Sequence, residues 1–159
     1  MESSRSRLEK AFDRFFQAGS RDGSVQALEV GCGDGRGSEL VLRHLVRCYG
    51  SSAFDFCVLD IDMERVVEAS RRLQGEPFRR RRVLRGDMYD LPFPAACFDF
   101  LVALNVFFWA ERQKLLAEAA RVLKPGGGLL ACDRLPAASE EERLLITTSL
   151  SREQILGQP

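Results

Sequence analysis

Histidine, tryptophan and net charge are what this 159-residue chain has least of. A single histidine, His44, leaves no material for a multi-histidine metal centre. Lysine plus arginine number 23, and so do aspartate plus glutamate, so no global field draws the chain to nucleic acid or an anionic membrane. The five cysteines (Cys32, Cys48, Cys57, Cys97 and Cys132) are odd in number and form no C-x-x-C pair. That argues against a disulfide framework or a zinc site and fits a reducing compartment. The longest apolar stretch, residues 98–110, is broken by Asp99 and Asn105 and falls short of a membrane span. The first 17 residues are rich in serine and arginine, but Glu2, Glu9 and Asp13 do not suit a transit peptide and no apolar core of a signal sequence follows. The expectation is a cytoplasmic protein with no membrane attachment.

What is present is the composition of a globular domain, 45% hydrophobic and 29% charged. Leu8, Phe12, Phe15 and Phe16 recur at helical spacing and predict a helix over 4–18, stopped at Gly19. Short β-forming runs then alternate with helical ones. Strands are predicted over 25–30, 54–59, 82–84, 98–104 and 129–132. Helices are predicted from Leu40 to Gly50, over 64–73 behind an Asp62 cap, and over 111–123. Leu144, Leu145, Ile146 and Leu150 give the tail 139–150 a helical reading, and Ser151 with Gln154 forms a capping-box pattern. Such alternation implies a mainly parallel sheet with right-handed crossovers, whose ligands sit beyond the carboxyl ends of the strands.

The sharpest local signal is Leu28-Glu29-Val30-Gly31-Cys32-Gly33-Asp34-Gly35. Glycines directly after a strand let the backbone turn tightly and approach a ligand that a Cβ would repel. The order here is G-x-G-x-G, with Arg36 where a dinucleotide fingerprint has its third glycine, which tells against a nicotinamide or flavin domain. Glu29 interrupts an apolar strand and requires either the loop N–H groups or a cationic ligand. Asp60 ends the second strand, where a carboxylate accepts ribose hydroxyls, whereas Asp62 is better placed as a helix cap. Asp87 falls on the same edge after the third strand, suited to an exocyclic amine or to an ordinary Asx turn.

Taken in order, Glu29–Gly35, Leu59-Asp60-Ile61, Gly86-Asp87 with Leu91-Pro92-Phe93, Phe98-Asp99 and Ala120–Gly127 resemble the successive motifs of class I S-adenosylmethionine-dependent methyltransferases, methyltransferase type 11 in particular. The resemblance runs from about Leu28 to Asp133. It implies that Glu29, Gly31, Cys32, Gly33 and Gly35 surround the methionine end of S-adenosyl-L-methionine. It implies Asp60 at the ribose hydroxyls, Asp87 with the Met88 backbone at the adenine, Ile61 as a further cofactor-binding residue, and Asn105 facing the methyl group or its acceptor as the catalytic candidate. No metal is implied.

The expected fold is therefore α/β, a Rossmann-like sheet of order 3-2-1-4-5 without the family's usual C-terminal β-hairpin. It divides into an N-terminal helix and linker (1–24), a cofactor-binding core (25–135) and a helical tail (136–159). On this reading the chain is C-terminally truncated relative to the family, and strand five is an open edge that invites a second copy or a partner. The expected function is methyl transfer to a small-molecule acceptor. The rival is a non-catalytic methyltransferase-like partner subunit, and a nicotinamide oxidoreductase stands third. Phe108 and Trp109 occupy positions where such enzymes often carry histidine, and no general base is evident. The run Arg79–Arg82 reads as a solvated edge and not as a nucleic-acid site.

Overall fold

The computed structural model describes residues 4–17, 23–75, 81–134 and 145–157. In chain order the elements are α1 (Ser4–Gln17), β1 (Val25–Val30), α2 (Arg36–Tyr49), β2 (Phe54–Asp60), α3 (Met63–Leu73) and β3 (Arg81–Arg85). They continue with β4 (Phe98–Leu104), α4 (Arg112–Val122), β5 (Leu123–Arg134), β6 (Leu145–Ser151) and α5 (Arg152–Leu156). Among the described residues these strands form one sheet in the order β3-β2-β1-β4-β5-β6, with all neighbours parallel except the β5–β6 pair. The expected α/β fold and the order of its first five strands are as the sequence implies.

Both faces of the sheet are covered, which is why β1, β2 and β4 are near-continuous apolar runs. On one face α1, α2 and α3 pack Phe12, Phe16, Leu45 and Leu73 against Phe56 and Phe100. The Phe16 ring meets Phe100 edge-on at 5.2 Å, so α1 is an integral part of the core. His44 is buried there beside Phe12, its Nδ1 2.9 Å from Asp13 Oδ1, and is therefore a packing residue. On the other face Leu115, Ala119 and Ile155 from α4 and α5 close over Leu28, Leu101 and Leu129. One buried carboxylate pins the start of the central strands. Asp99 accepts the Gln26 N–H at 2.8 Å and the Lys124 ammonium at 2.9 Å.

Three expectations change. The Lys124–Gly127 turn is not a separate connection ahead of a four-residue strand: it is an irregularity inside a longer β5, between the pairs Phe98↔Leu123 and Phe100↔Gly128. The tail is not helical over 145–150. It forms β6, antiparallel to β5 from Gly128↔Ser151 to Arg134↔Leu145, and only the capping-box turn α5 is helical. The unpaired ladder of β5 outweighs a helical apolar spacing, and the β-branched run Ile146-Thr147-Thr148 suits a strand. The expected open edge at β5, and the dimerisation argued from it, therefore fail: β5 is an interior strand. Arg81 and Arg82 belong to the edge strand β3, while Arg79, Arg80 and the stretch 135–144 lie outside the described residues.

Because β5 is paired on both sides, its amides at Leu129–Cys132 are expected to exchange as slowly as those of Leu101–Ala103 in β4. Hydrogen exchange followed by mass spectrometry measures this. Fast exchange confined to 129–132 would restore the open edge.

Candidate functional site

The site is built at the carboxyl ends of β1 to β4. Immediately after β1, Gly31, Gly33 and Gly35 take φ values of +66°, +54° and +86°, a left-handed run that side chains resist. A Cβ on Gly31 would also lie 2.5 Å from Val106 Cγ1, so the loop and the segment after β4 touch without room for one more carbon. Gly35 closes the loop by donating its N–H to the Cys32 carbonyl at 3.0 Å. Arg72, from α3, donates to the Asp34 carbonyl at 2.9 Å and holds the outer side.

Asp62 is the helix cap that the sequence predicts, and Asp60 has a different set of partners. The Asp62 carboxylate accepts the Glu64 N–H at 2.8 Å and caps α3. Asp60 faces the glycine loop: its Oδ2 accepts the Gly33 N–H at 2.9 Å and its Oδ1 accepts the Asp62 N–H at 3.0 Å. Ile61, between them, is 62% exposed, an apolar side chain left open beside a carboxylate.

Glu29 is not satisfied by the loop. It is 1% exposed, and its Oε2 has no hydrogen-bond partner among the described residues. Burial pushes its carboxyl up to about 8. The Ser38 hydroxyl beside it favours the charged form to a lesser degree, without hydrogen-bond geometry. Cys32 lies in the same buried neighbourhood, where burial, then the negative charges of Glu29 and Asp60, drive its thiol up to about 12. It is therefore no nucleophile at neutral pH.

After β3, the Gly86 N–H reaches the Asp60 carbonyl at 2.9 Å, and a Cβ at Gly86 would strike Leu59 Cδ1 at 2.3 Å. Asp87 Oδ1 accepts the Tyr89 N–H at 2.8 Å, which is the Asx turn, and this leaves Oδ2 outside that turn. Met88 packs partly buried against the α4-side core. The link is clamped from α4: Arg121 donates to the Phe93 and Leu91 carbonyls at 2.7 and 2.9 Å, and Glu118 accepts the Leu91 N–H at 2.7 Å. Asn105, exposed at the end of β4, is left-handed at φ +57° and donates its N–H to the Cys132 carbonyl at 2.8 Å. With Leu8, Arg36, Gly37 and Leu104 it lines a cavity of about 200 Å³ between α1 and the start of α2.

Glu29, Gly31, Cys32, Gly33, Gly35, Asp60, Ile61, Asp87, Met88 and Asn105 thus all fall along one edge of the sheet. Sequence reasoning passed over Ser38, Val106, Arg72 and Arg121. It also passed over Gly37, where a Cβ would crowd Leu104 Cδ1 at 2.9 Å and Glu29 Oε1 at 3.3 Å. Only Gly37 carried a signal, its place in the glycine-dense run.

Residues 28–131 match the family described as a methyltransferase domain. The chain is 35% identical over 103 residues to a malonyl-[acyl-carrier protein] O-methyltransferase of Herminiimonas arsenicoxydans, covering 65% of this chain and 35% of that protein. It is 33% identical over 138 residues to a fatty-acid O-methyltransferase of Mycolicibacterium smegmatis, covering 84% of this chain and 45% of the relative. The chain thus spans less than half the length of these curated relatives. A solved structure of a SAM-dependent methyltransferase from Aquifex aeolicus superimposes with a TM-score of 0.66 at 23% identity, over 86% of this chain and 72% of that one, a likeness of fold.

The Glu29 carboxyl, raised from 4.5 to about 8, binds its proton more tightly in the folded chain than in the unfolded one. It therefore takes stability away as pH rises from about 4.5 to 8, with a slope of up to ~1.4 kcal/mol per pH unit. Glu29→Gln is expected to leave stability at pH 4.5 nearly unchanged and to raise it at pH 8 by on the order of 1–3 kcal/mol. Urea unfolding of the ligand-free protein at the two pH values measures the difference.

Proposed function

The chain belongs to the methyltransferase-domain family of class I S-adenosylmethionine-dependent enzymes, and from that premise we propose that it binds S-adenosyl-L-methionine along this edge and methylates an oxygen of a small, lipid-like acceptor. The observation that carries the reading is the left-handed glycine loop held by Asp60.

The residues present fit the cofactor. Each Asp60 oxygen accepts one backbone N–H, so each retains a lone pair for a ribose hydroxyl. Ile61 offers an apolar surface to the adenine ring, and the Asp87 Oδ2 an acceptor for its exocyclic amine. The orphaned Glu29 Oε2 lies just before the glycine loop, and the amino group of the cofactor's methionine end would supply the missing cation. When bound, the cofactor supplies a methyl group already activated on a sulfonium. What this chain's own residues contribute is positioning: the loop fixes one reactant, and the Asn105 backbone, bonded to Cys132 of β5, fixes the start of the segment after β4 that faces the loop.

The named activities of the relatives, O-methylation of malonyl-[acyl-carrier protein] and of fatty acid, support an oxygen on an acyl-like molecule as the acceptor. The intact acids and loop favour a working methyltransferase over a subunit that keeps only the fold. The five thiols are unpaired, and we assign the chain to the cytoplasm on that basis.

Calorimetric titration is expected to show binding of S-adenosyl-L-methionine and weaker or no binding of NAD. Asp60→Ala is expected to reduce cofactor affinity at least about tenfold through two lost charge-assisted hydrogen bonds. Asp62→Ala is expected to cost about 1 kcal/mol of stability through the lost cap and to leave affinity nearly intact. The reverse pattern would show that the ribose carboxylate is misassigned.

A further inference from the structure

A second cavity, of about 310 Å³, lies on the α4 side of β5 and β6 and has no part in holding the cofactor. Its apolar wall comes from Phe107, Phe108, Leu116 and Leu150, and its charged members are Asp133 and Arg112. It adjoins the cofactor edge. The segment after β4 touches Gly31 through Val106 and lines this cavity with the next two residues.

Asp133, near the end of β5, is 5% exposed and lies by the backbone of Phe107 and Phe108, whose amides favour its charged form. Its Oδ1 is buried without any hydrogen-bond partner among the described residues. A buried acceptor left unpaired is costly in a native fold and marks a place for a donor. The charged group facing it is Arg112, whose guanidinium lies 5.1 Å from the centre of the Phe107 ring. Burial holds the Asp133 carboxyl above its ordinary value, and the Phe108 and Phe107 amides, then Arg112, work against that rise.

We propose that this cavity is the acceptor site and that it takes an uncharged alcohol with an apolar body, its hydroxyl donated to Asp133 Oδ1 and its body against Phe107, Phe108 and Leu116. The choice between polar heads follows from charge. A carboxylate would be set beside the Asp133 carboxylate and would compete with it for Arg112, whereas a hydroxyl leaves that pair intact and supplies the donor that Oδ1 lacks. The same contact puts a proton acceptor on the ligand oxygen that would receive a methyl group, a role for which the sequence offered no residue. The inference rests on the methyltransferase reading for the word acceptor, and narrows it from an acyl oxygen to an alcohol.

The chain carries its own reporter. Trp109 is its only tryptophan, 74% exposed, with its ring 5.1 Å from that of Phe108 at the cavity wall. Tryptophan fluorescence of the full chain is titrated with 1-decanol and with decanoate at pH 7.5, below their aggregation limits. Decanol is expected to bind saturably and at least tenfold more tightly than decanoate. In Asp133→Asn a neutral amide replaces the carboxylate that accepts the hydroxyl, so the preference for decanol should fall at least tenfold. Thr148→Phe, which fills the cavity from β6, should abolish binding of both and serves if Asp133→Asn does not fold. Equal or tighter binding of decanoate to the natural chain would overturn the proposal, as would an unchanged preference in Asp133→Asn or unchanged binding in Thr148→Phe. Calorimetry with S-adenosylhomocysteine on the same preparation separates the two readings. Its failure removes the methyltransferase reading and leaves the alcohol site standing.

Discussion

The Asp60 carboxylate ties two loops together: one oxygen takes the Gly33 N–H of the loop after β1 and the other the Asp62 N–H that starts α3. Each bond is charge-assisted, stronger than a neutral pair, and each fixes a backbone that glycine or an N-terminal turn would leave free. Glu29, one residue before the end of β1, keeps a buried oxygen without a partner among the described residues. Asp60 reaches the glycine loop from the end of β2. The pairing of β1 with β2 from Val25↔Phe54 to Val30↔Leu59 makes this possible, since it brings the two strand ends to the same level.

The remaining pieces of the edge depend on distant anchors. Asp99 and Lys124 fix β4 and β5 at the opposite end of the strands, and Arg121 with Glu118 ties the link after β3 to α4. The Asn105 backbone is held to Cys132. The result is a rigid rim with three kinds of opening: an exposed apolar side chain at Ile61, the space around Asn105, and the cavity beside Asp133.

Features governed by local chemistry were legible in the sequence. The left-handed turn needs glycine, a cap needs Asp62 before a helix, and an apolar run such as Phe98–Leu104 needs cover on both faces. The parallel order followed from alternation and from motif resemblance together. What could not be read depended on partners far along the chain. Residues 145–151 have an apolar spacing that fits a helix and a β-branched run that fits a strand, and the neighbouring ladder of β5 decided between them. The Lys124–Gly127 stretch looked like a turn because glycine and proline usually interrupt strands; here they lie within an irregular one. Glu29 stood out as a carboxylate in a buried strand, yet whether it finds a partner is decided by the packing around it. Asp133 carried no signal, because its meaning comes from the turn at Phe107 and Phe108.

The placement of β1 at the centre of the sheet has a kinetic consequence. Its first neighbour, β2, follows soon, but its other neighbour is β4, and the Gln26–Asp99 bond that locks the two joins residues 73 apart in sequence. Closing so long a loop must precede any gain from the contacts it forms, and parallel pairings of this kind fold slowly. The glycine loop and Val106 meet only across that same closure. Until β4 docks, Phe15 and Phe16 of α1 lack the Phe100 ring they pack against, even where Phe12 already meets His44 of α2. The aromatic face of this helix is therefore completed late, and is open to wrong partners in the meantime.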